Sequence, residues 1–162
     1  MLRQMHGSEF DEIAFFAAIE ASGARALLIG RRALVLLGLP VLTADYDLWV
    51  HPEDIERLNA AVAPFGLEPS QPPEVARVRG RYVLENDEHV DVMVARSVST
   101  VDGEPTHFDA LWSRRVELWL DDHVRVRMPG LDDLRTTKRF SARPKDLEDI
   151  RLLDALRAGE SP

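Results

Sequence analysis

Apolar and polar positions along this chain follow two rhythms, and the switches between them mark out its elements. Residues 8–22, SEFDEIAFFAAIEAS, open on Ser8 as a cap with acids in the first turn and carry apolar residues at helical spacing until Gly23 stops them. ALLIG at 26–30 is a short apolar run closed by glycine, a buried strand. RRALVLLG at 31–38 fits strand or helix by periodicity; its place straight after that glycine favours a helix, stopped by Gly38 and Pro40. LTADYDLWV at 42–50 predicts the second strand. In HPEDIERLNAAVAPFG at 51–66, Pro52 opens a helix with Ile55, Leu58 and Val62 at helical spacing. PSQPPEV at 69–75 reads as an exposed turn or loop. VRGRYVLE at 78–85 and HVDVMVA at 89–95 form a hairpin across Asn86-Asp87-Glu88. FDALW at 108–112 makes a helical turn, and VELWL at 116–120 pairs with HVRVRM at 123–128 in a second hairpin. LDDLRTTKRF at 131–140 and PKDLEDIRLLDALR at 144–157 finish the chain as helices. That order predicts a mixed α/β or α+β architecture rather than an all-parallel doubly wound sheet.

Composition narrows the classes open to such a domain. The 162 residues fit one domain, 1–162, and the 45% hydrophobic and 30% charged content is that of a chain that folds on its own. With no cysteine, disulfides, thiolate zinc sites and cysteine nucleophiles are excluded, which fits a reducing cytoplasm. No signal-peptide core and no membrane-length apolar run is visible, so a cytoplasmic location is expected. The formal net charge of −8 disfavours broad binding to nucleic acid or anionic membrane, so a polyanionic substrate must be held locally.

Against that background the carboxylates of LTADYDLWV stand out. In an extended strand Asp45, Asp47 and Trp49 share one face while Tyr46, Leu48 and Val50 share the other. Like charges that close oppose folding unless a cation compensates, and Mg2+ prefers one or two carboxylates completed by water and phosphate. Read alone, a D-x-D is more often a solvated strand end. In HVDVMVA the valines form one apolar face and put Asp91 on the opposite one. If this strand lies beside the first, Asp91 joins Asp45 and Asp47, and three converging acids call for divalent ions.

The stretch LLIGRRALVLLGLPVLTADYDLWV at 27–50 resembles the nucleotidyltransferase fold of the DNA polymerase β superfamily. The nearest likeness is to small bacterial proteins related to abortive-infection and toxin-antitoxin nucleotidyltransferases. The matching pieces are Gly30, Ala33, Gly38 and Thr43-Ala44-Asp45-Tyr46-Asp47-Leu48, then Asp91 in V-D-V, then the tail LDDLRTTKRFSARPKDLEDIRLL at 131–153. The resemblance implies a mixed sheet with helices packed on one face and C-terminal helices beyond it. It implies metal-dependent transfer of a nucleoside monophosphate from an NTP to a hydroxyl of tRNA, a protein or a small molecule. Asp45 and Asp47 would hold Mg2+ (or Mn2+), and Asp91 would complete the metal site and help deprotonate the acceptor. A toxin-antitoxin partner protein is a further expectation.

The chain departs from that pattern in the turn after Gly30, where Arg31 and Arg32 replace the small residue that lets backbone N–H groups close on a triphosphate. Arg31 either grips phosphate bidentately or pairs with Asp45 or Asp47. The second outcome describes the alternative function, a catalytically inactive binding or regulatory module. Lys138 is read as a phosphate contact, and Lys145 with Asp146 as part of a helix-surface ion-pair network. Trp49 either stacks on a base or packs. The histidines lack zinc-site spacing, and no P-loop, G-x-S-x-G or G-x-G-x-x-G is present.

Overall fold

A computed structural model describes residues 10–159, so the Ser8 cap lies outside the described residues. Asp11 caps the first helix instead, its carboxylate accepting the Ala14 N–H at 3.0 Å. The elements run α1 (Glu12–Ser22), β1 (Ala26–Ile29), α2 (Gly30–Leu36), β2 (Tyr46–Val50), α3 (Ile55–Val62), β3 (Glu68–Pro69), α4 (Pro73–Arg79), β4 (Arg81–Glu85) and β5 (His89–Val94). After these come β6 (Ser97–Ser99), β7 (Pro105–His107), α5 (Phe108–Ser113), β8 (Val116–Trp119), β9 (Arg125–Met128), α6 (Leu131–Thr137) and α7 (Pro144–Arg157). Single 3-10 turns at Pro52–Asp54 and Ala63–Phe65 flank α3, so the helix foreseen over 51–66 is a shorter α-helix with tightened ends.

Five strands form one mixed sheet in the order β1-β2-β5-β4-β3. β2 and β5 are parallel and the remaining pairs antiparallel. Two separate two-stranded ribbons, β6-β7 and β8-β9, complete the strands. The alternation of side chains divides the sheet into two faces with different fates. On one, Leu28, Leu48, Val92 and Tyr82 align across four strands and are buried against Phe15, Phe16 and Ile19 of α1 and Ile55, Leu58 and Val62 of α3. The other face is split along its length. At one end Leu27 and Trp49 are sealed beneath Phe108 and Leu111 of α5. At the other end lies the row Ile29, Asp47, Asp91, Val83, whose side chains are only partly buried, Ile29 at the edge of the α5 cluster and the rest beyond it. Helices therefore pack on one whole face and one half of the other. The remaining half positions the candidate site.

The last helix but one also ends at Thr137 rather than at residue 140, and two further differences from the sequence reading bear on the site. The second strand begins at Tyr46, not Leu42, and residues 42–45 form the approach to it, with Leu42 90% exposed. Asp45 therefore leaves the strand and sits exposed at its mouth, where its N–H donates to Thr43 Oγ1 at 3.1 Å. Residues 73–79, split in the reading between loop and strand, form α4. Its signals are local: Pro73 at the first position, Glu74 in the first turn, Arg77 and Arg79 in the last, and Gly80 closing it. Among the described residues no helix is long and apolar enough to cross a membrane.

Candidate active site

Parallel pairing of β2 with β5 sets Asp47 directly beside Asp91, the arrangement expected if these two strands lay side by side. Their side chains line an open cleft of about 340 Å³ together with Gly30, Asp45 and Thr43 on one wall. The opposite wall comes from the α6–α7 segment and carries Lys138, Arg143 and Lys145, and Arg31 also lines the cleft. All six residues singled out from sequence thus border one space. Asp45, Asp47 and Asp91 are nevertheless not a finished cage: among the described residues no group of three His, Cys, Asp or Glu side chains is placed to enclose a metal ion.

Asp47 is the strained member of the set. Burial raises its pKa first, the charge of Asp91 second and that of Asp45 further, against the opposing pull of Lys138 and Lys145. A half-buried carboxylate with two acidic neighbours demands positive charge. Asp91 has partial compensation, with Arg81 Nη2 at 3.4 Å from one oxygen and His89 Nε2 at 3.2 Å from the other. Burial works to lower the His89 pKa, and the Asp91 charge and hydrogen bond outweigh it to raise it. The hard oxygens of Asp47 and Asp91 suit Mg2+, which takes few protein ligands and draws the others from water and phosphate. The residues present fit such an ion.

Gly30 fixes how closely the turn approaches these acids. Its φ of +73° lies in the left-handed region, and a Cβ there would stand 2.8 Å from Asp47 Cγ and closer still to a carboxylate oxygen. Both facts demand glycine. Gly30→Ala is expected to cost about 2–4 kcal/mol, the sum of backbone strain and overpacking. Gly38→Ala supplies the control, because φ is +87° but nothing lies within 4 Å; strain alone should cost about 1–2 kcal/mol. Urea unfolding of both variants measures the difference, which isolates the contact with Asp47.

Neither arginine of the turn is directed at the acids. Arg31 reaches α7, with Nε donating to Asp149 Oδ2 at 3.2 Å, Nη2 3.1 Å from Asp149 Oδ1 without a linear hydrogen bond, and Glu148 at 3.3 Å. Arg32 turns the other way. Its guanidinium lies 4.4 Å from the Tyr46 ring centroid, donates to the Thr43 carbonyl at 3.1 Å and approaches Glu12, which accepts the Tyr46 hydroxyl proton at 2.8 Å. Burial and that hydrogen bond raise the Tyr46 pKa. The pairing of Arg31 with Asp45 or Asp47, offered as one reading of the turn, is therefore not formed, and Arg32 does not form it either.

The two lysines stand in surroundings unlike those expected of them. Lys138 is buried, and its Nζ donates to the fully buried Asp149 at 2.7 Å, so its charge reaches Asp47 through space while its hydrogen bond is committed. Lys145 is exposed at the cleft. The acids expected to hold it have other partners, Asp146 being bound by Arg143 and Ser141 in the cap of α7 and Asp149 by Lys138 and Arg31. These contacts hold the Asp146 pKa low, against a burial effect that would raise it. Lys145 was missed as a cleft cation because an R-P-K-D run looks self-neutralising until Pro144 starts the helix and faces Asp146 back to its own cap.

Trp49 packs rather than waits for a base. It is fully buried, edge-on to Phe108 and Phe140 at 5.4 and 5.7 Å, with its indole N–H donating to the Ala95 carbonyl at 2.9 Å. His51 is buried too, its Nδ1 accepting the Glu53 N–H at 3.1 Å. Burial, then Arg25 and Arg96, lower its pKa, as befits a neutral cap.

No family model and no curated protein matches the sequence. Solved structures do match the fold. The solution structure of the antibiotic-resistance factor ANT(2'')-Ia aligns with a TM-score of 0.60 and 18% identity over 90% of this chain and 86% of the other. The crystal structure of ANT(2'')-Ia in complex with adenylyl-2''-tobramycin aligns with a TM-score of 0.59 and 18% identity over 90% and 92%. A candidate nucleotidyltransferase of Thermotoga maritima aligns at 0.54 and 15% identity over 98% and 91%. The chain has the nucleotidyltransferase fold.

Proposed function

We propose that the protein is a metal-dependent nucleotidyltransferase that moves a nucleoside monophosphate from an NTP to a hydroxyl acceptor. One observation carries this reading. On the nucleotidyltransferase fold, Asp47 and Asp91 stand side by side on parallel central strands, facing a cleft that Gly30 closes from below. The bound Mg2+ would neutralise the two carboxylates and the charge developing on the transferred phosphoryl group.

The chain's own residues divide the remaining work. Asp47 and Asp91 would hold the ion, with Asp45 at the mouth of β2 adding negative charge beside them. Gly30 lets the turn lie against Asp47, leaving space for a triphosphate that a side chain would fill. Lys145 meets the β- and γ-phosphates, and Arg143 and buried Lys138 add positive potential without leaving Asp146 and Asp149. Asp91 accepts the proton of the acceptor hydroxyl as its oxygen bonds to the α-phosphorus and the bond to the β-phosphate oxygen breaks, releasing pyrophosphate. An expectation specific to this division is that Lys145→Ala raises KM for the NTP about tenfold to a hundredfold, the loss of one charge-assisted contact. Steady-state kinetics at varied NTP checks it.

The reading is tested by incubating the protein with each α-labelled NTP, Mg2+ or Mn2+ and a cell extract. Transfer of label to an extract component, absent with Asp47→Asn, supports it. No transfer with any NTP, together with no heat of binding for Mg-NTP, would sink it.

A further inference from the structure

A second hollow adjoins the cleft on the far side of Asp91. It is shallow, about 600 Å³, and lined by Ser70, Gln71, Arg79, Arg81, Tyr82 and Val83. Two polar side chains and two arginines lie there, and no acid is part of the lining. Register fixes its distance from the chemistry. Val83 pairs with Asp91, and Arg81 pairs with Met93 one step along the same face, so the hollow begins one strand out from the proposed base. Arg81 joins the two spaces, its guanidinium touching Asp91 at 3.4 Å while its side chain is 71% exposed. Arg79, also exposed, ends α4 just before Gly80 turns the chain into β4.

With the NTP on the Gly30 and Lys145 side, this hollow, linked to Asp91 through Arg81 and Val83, gives an acceptor hydroxyl a separate route to Asp91. Whatever carries that hydroxyl lies against Arg79 and Arg81. A polyamine there would meet like charge, while a phosphate monoester matches paired guanidinium groups bidentately. The exposed Arg81–Asp91 contact is long and weak, and an ion taking Asp91 leaves Arg81 without its carboxylate and facing the hollow. The net charge of −8 carried by the whole chain argues against a long polyanion. We infer, on the basis of the nucleotidyl-transfer reading, that the acceptor is a small hydroxyl compound bearing its own phosphate, bound by Arg79 and Arg81 beside Asp91. Val83 pairs with Asp91 and Arg81 stands two residues along β4, so a phosphate on Arg81, once released from Asp91, lies about one to two strand spacings from the base, roughly 5–10 Å. That is the span of a phosphorylated sugar.

The test uses the full chain loaded with Mg2+ and α,β-methylene-ATP, so that the nucleotide side is filled, and follows ribose 5-phosphate by calorimetry. Ribose 5-phosphate should bind, ribose and tobramycin should not, and the Arg79→Ala/Arg81→Ala protein should bind it about tenfold or more weakly with its thermal midpoint retained. Absence of ribose 5-phosphate binding, or equal binding by the double variant, overturns the inference. Tighter, arginine-dependent binding of a short single-stranded RNA overturns it in favour of a nucleic-acid acceptor. The two readings fail separately. Label transfer to tobramycin or another uncharged or cationic acceptor, at the wild-type rate in the double variant, removes the phosphate inference and keeps the transferase. Arginine-dependent ribose 5-phosphate binding, with no label transferred to any acceptor, removes the transferase reading and, with it, the role of the anion site as an acceptor site.

Discussion

Asp47→Asn is expected to abolish nucleotidyl transfer, by about a thousandfold or more, while making the metal-free protein more stable than the wild type. Both effects come from one carboxylate. Burial and then the Asp91 charge raise the Asp47 pKa, so the folded protein binds this proton more readily than the unfolded chain does. For an acid raised on folding, the stability contribution is fully present below the unfolded value, about 3.9, and is lost as pH rises through the raised folded value. At neutral pH the charged Asp47 therefore works against the fold. Asn removes that charge in nearly the same shape. Thermal midpoints across pH, without added metal, should show the variant above the wild type at neutral pH and the gap closing as the solution is acidified. Mg2+ added at neutral pH should lift the wild type and leave the variant where it was. A variant that is inactive and less stable at every pH would make Asp47 a structural residue.

Asp149→Ala is expected to give the largest loss of stability, about 3–5 kcal/mol, because it strands the buried Lys138 ammonium without its partner. Lys138→Met should cost less, since Asp149 keeps Arg31 at 3.1 Å. The comparison separates an uncompensated charge from a lost contact. A functional consequence accompanies it. Asp149 and Glu148 draw Arg31 toward α7 and away from Asp45 and Asp47. Without Asp149 the guanidinium is free to fall on the acids and compete with the metal, so Mg2+ should lift the thermal midpoint of Asp149→Ala less than that of the wild type. Urea unfolding gives the first quantity and thermal melting with and without Mg2+ the second.

How far these residues could be read from sequence depends on whether their environment is local. The alternation in YDLWV and HVDVMV forces Asp47 and Asp91 onto single faces, and the glycine before α2 marks the turn beneath them, so this half of the cleft was legible. Asp45 was misplaced by one boundary, because nothing in LTAD distinguishes a strand start from an extended approach to one. The partners of Arg31, Arg32 and Lys138 were not legible. Arg31 and Asp149 are 118 residues apart, and only the packing of α7 against α2 brings them together. Lys145 illustrates the converse: three acids stand within four residues of it in sequence, and the helix that Pro144 starts turns all three to other partners. The α4 helix was readable from its prolines and Gly80, but its seven residues sit where proline density suggests a loop. The hollow of Arg79 and Arg81 was invisible for the same reason, since its shape depends on where α4 ends.

The account rests on a divalent ion held between Asp47 and Asp91 and shared with a triphosphate. The most direct measurement is anomalous diffraction from crystals grown with Mn2+ and α,β-methylene-ATP. The account predicts a manganese peak about 2.1–2.3 Å from Asp47 and Asp91 oxygens, with the nucleotide phosphates completing its shell and reaching toward Lys145. A nucleotide bound elsewhere, or a cleft with Arg31 lying across Asp47 and no metal, would contradict it.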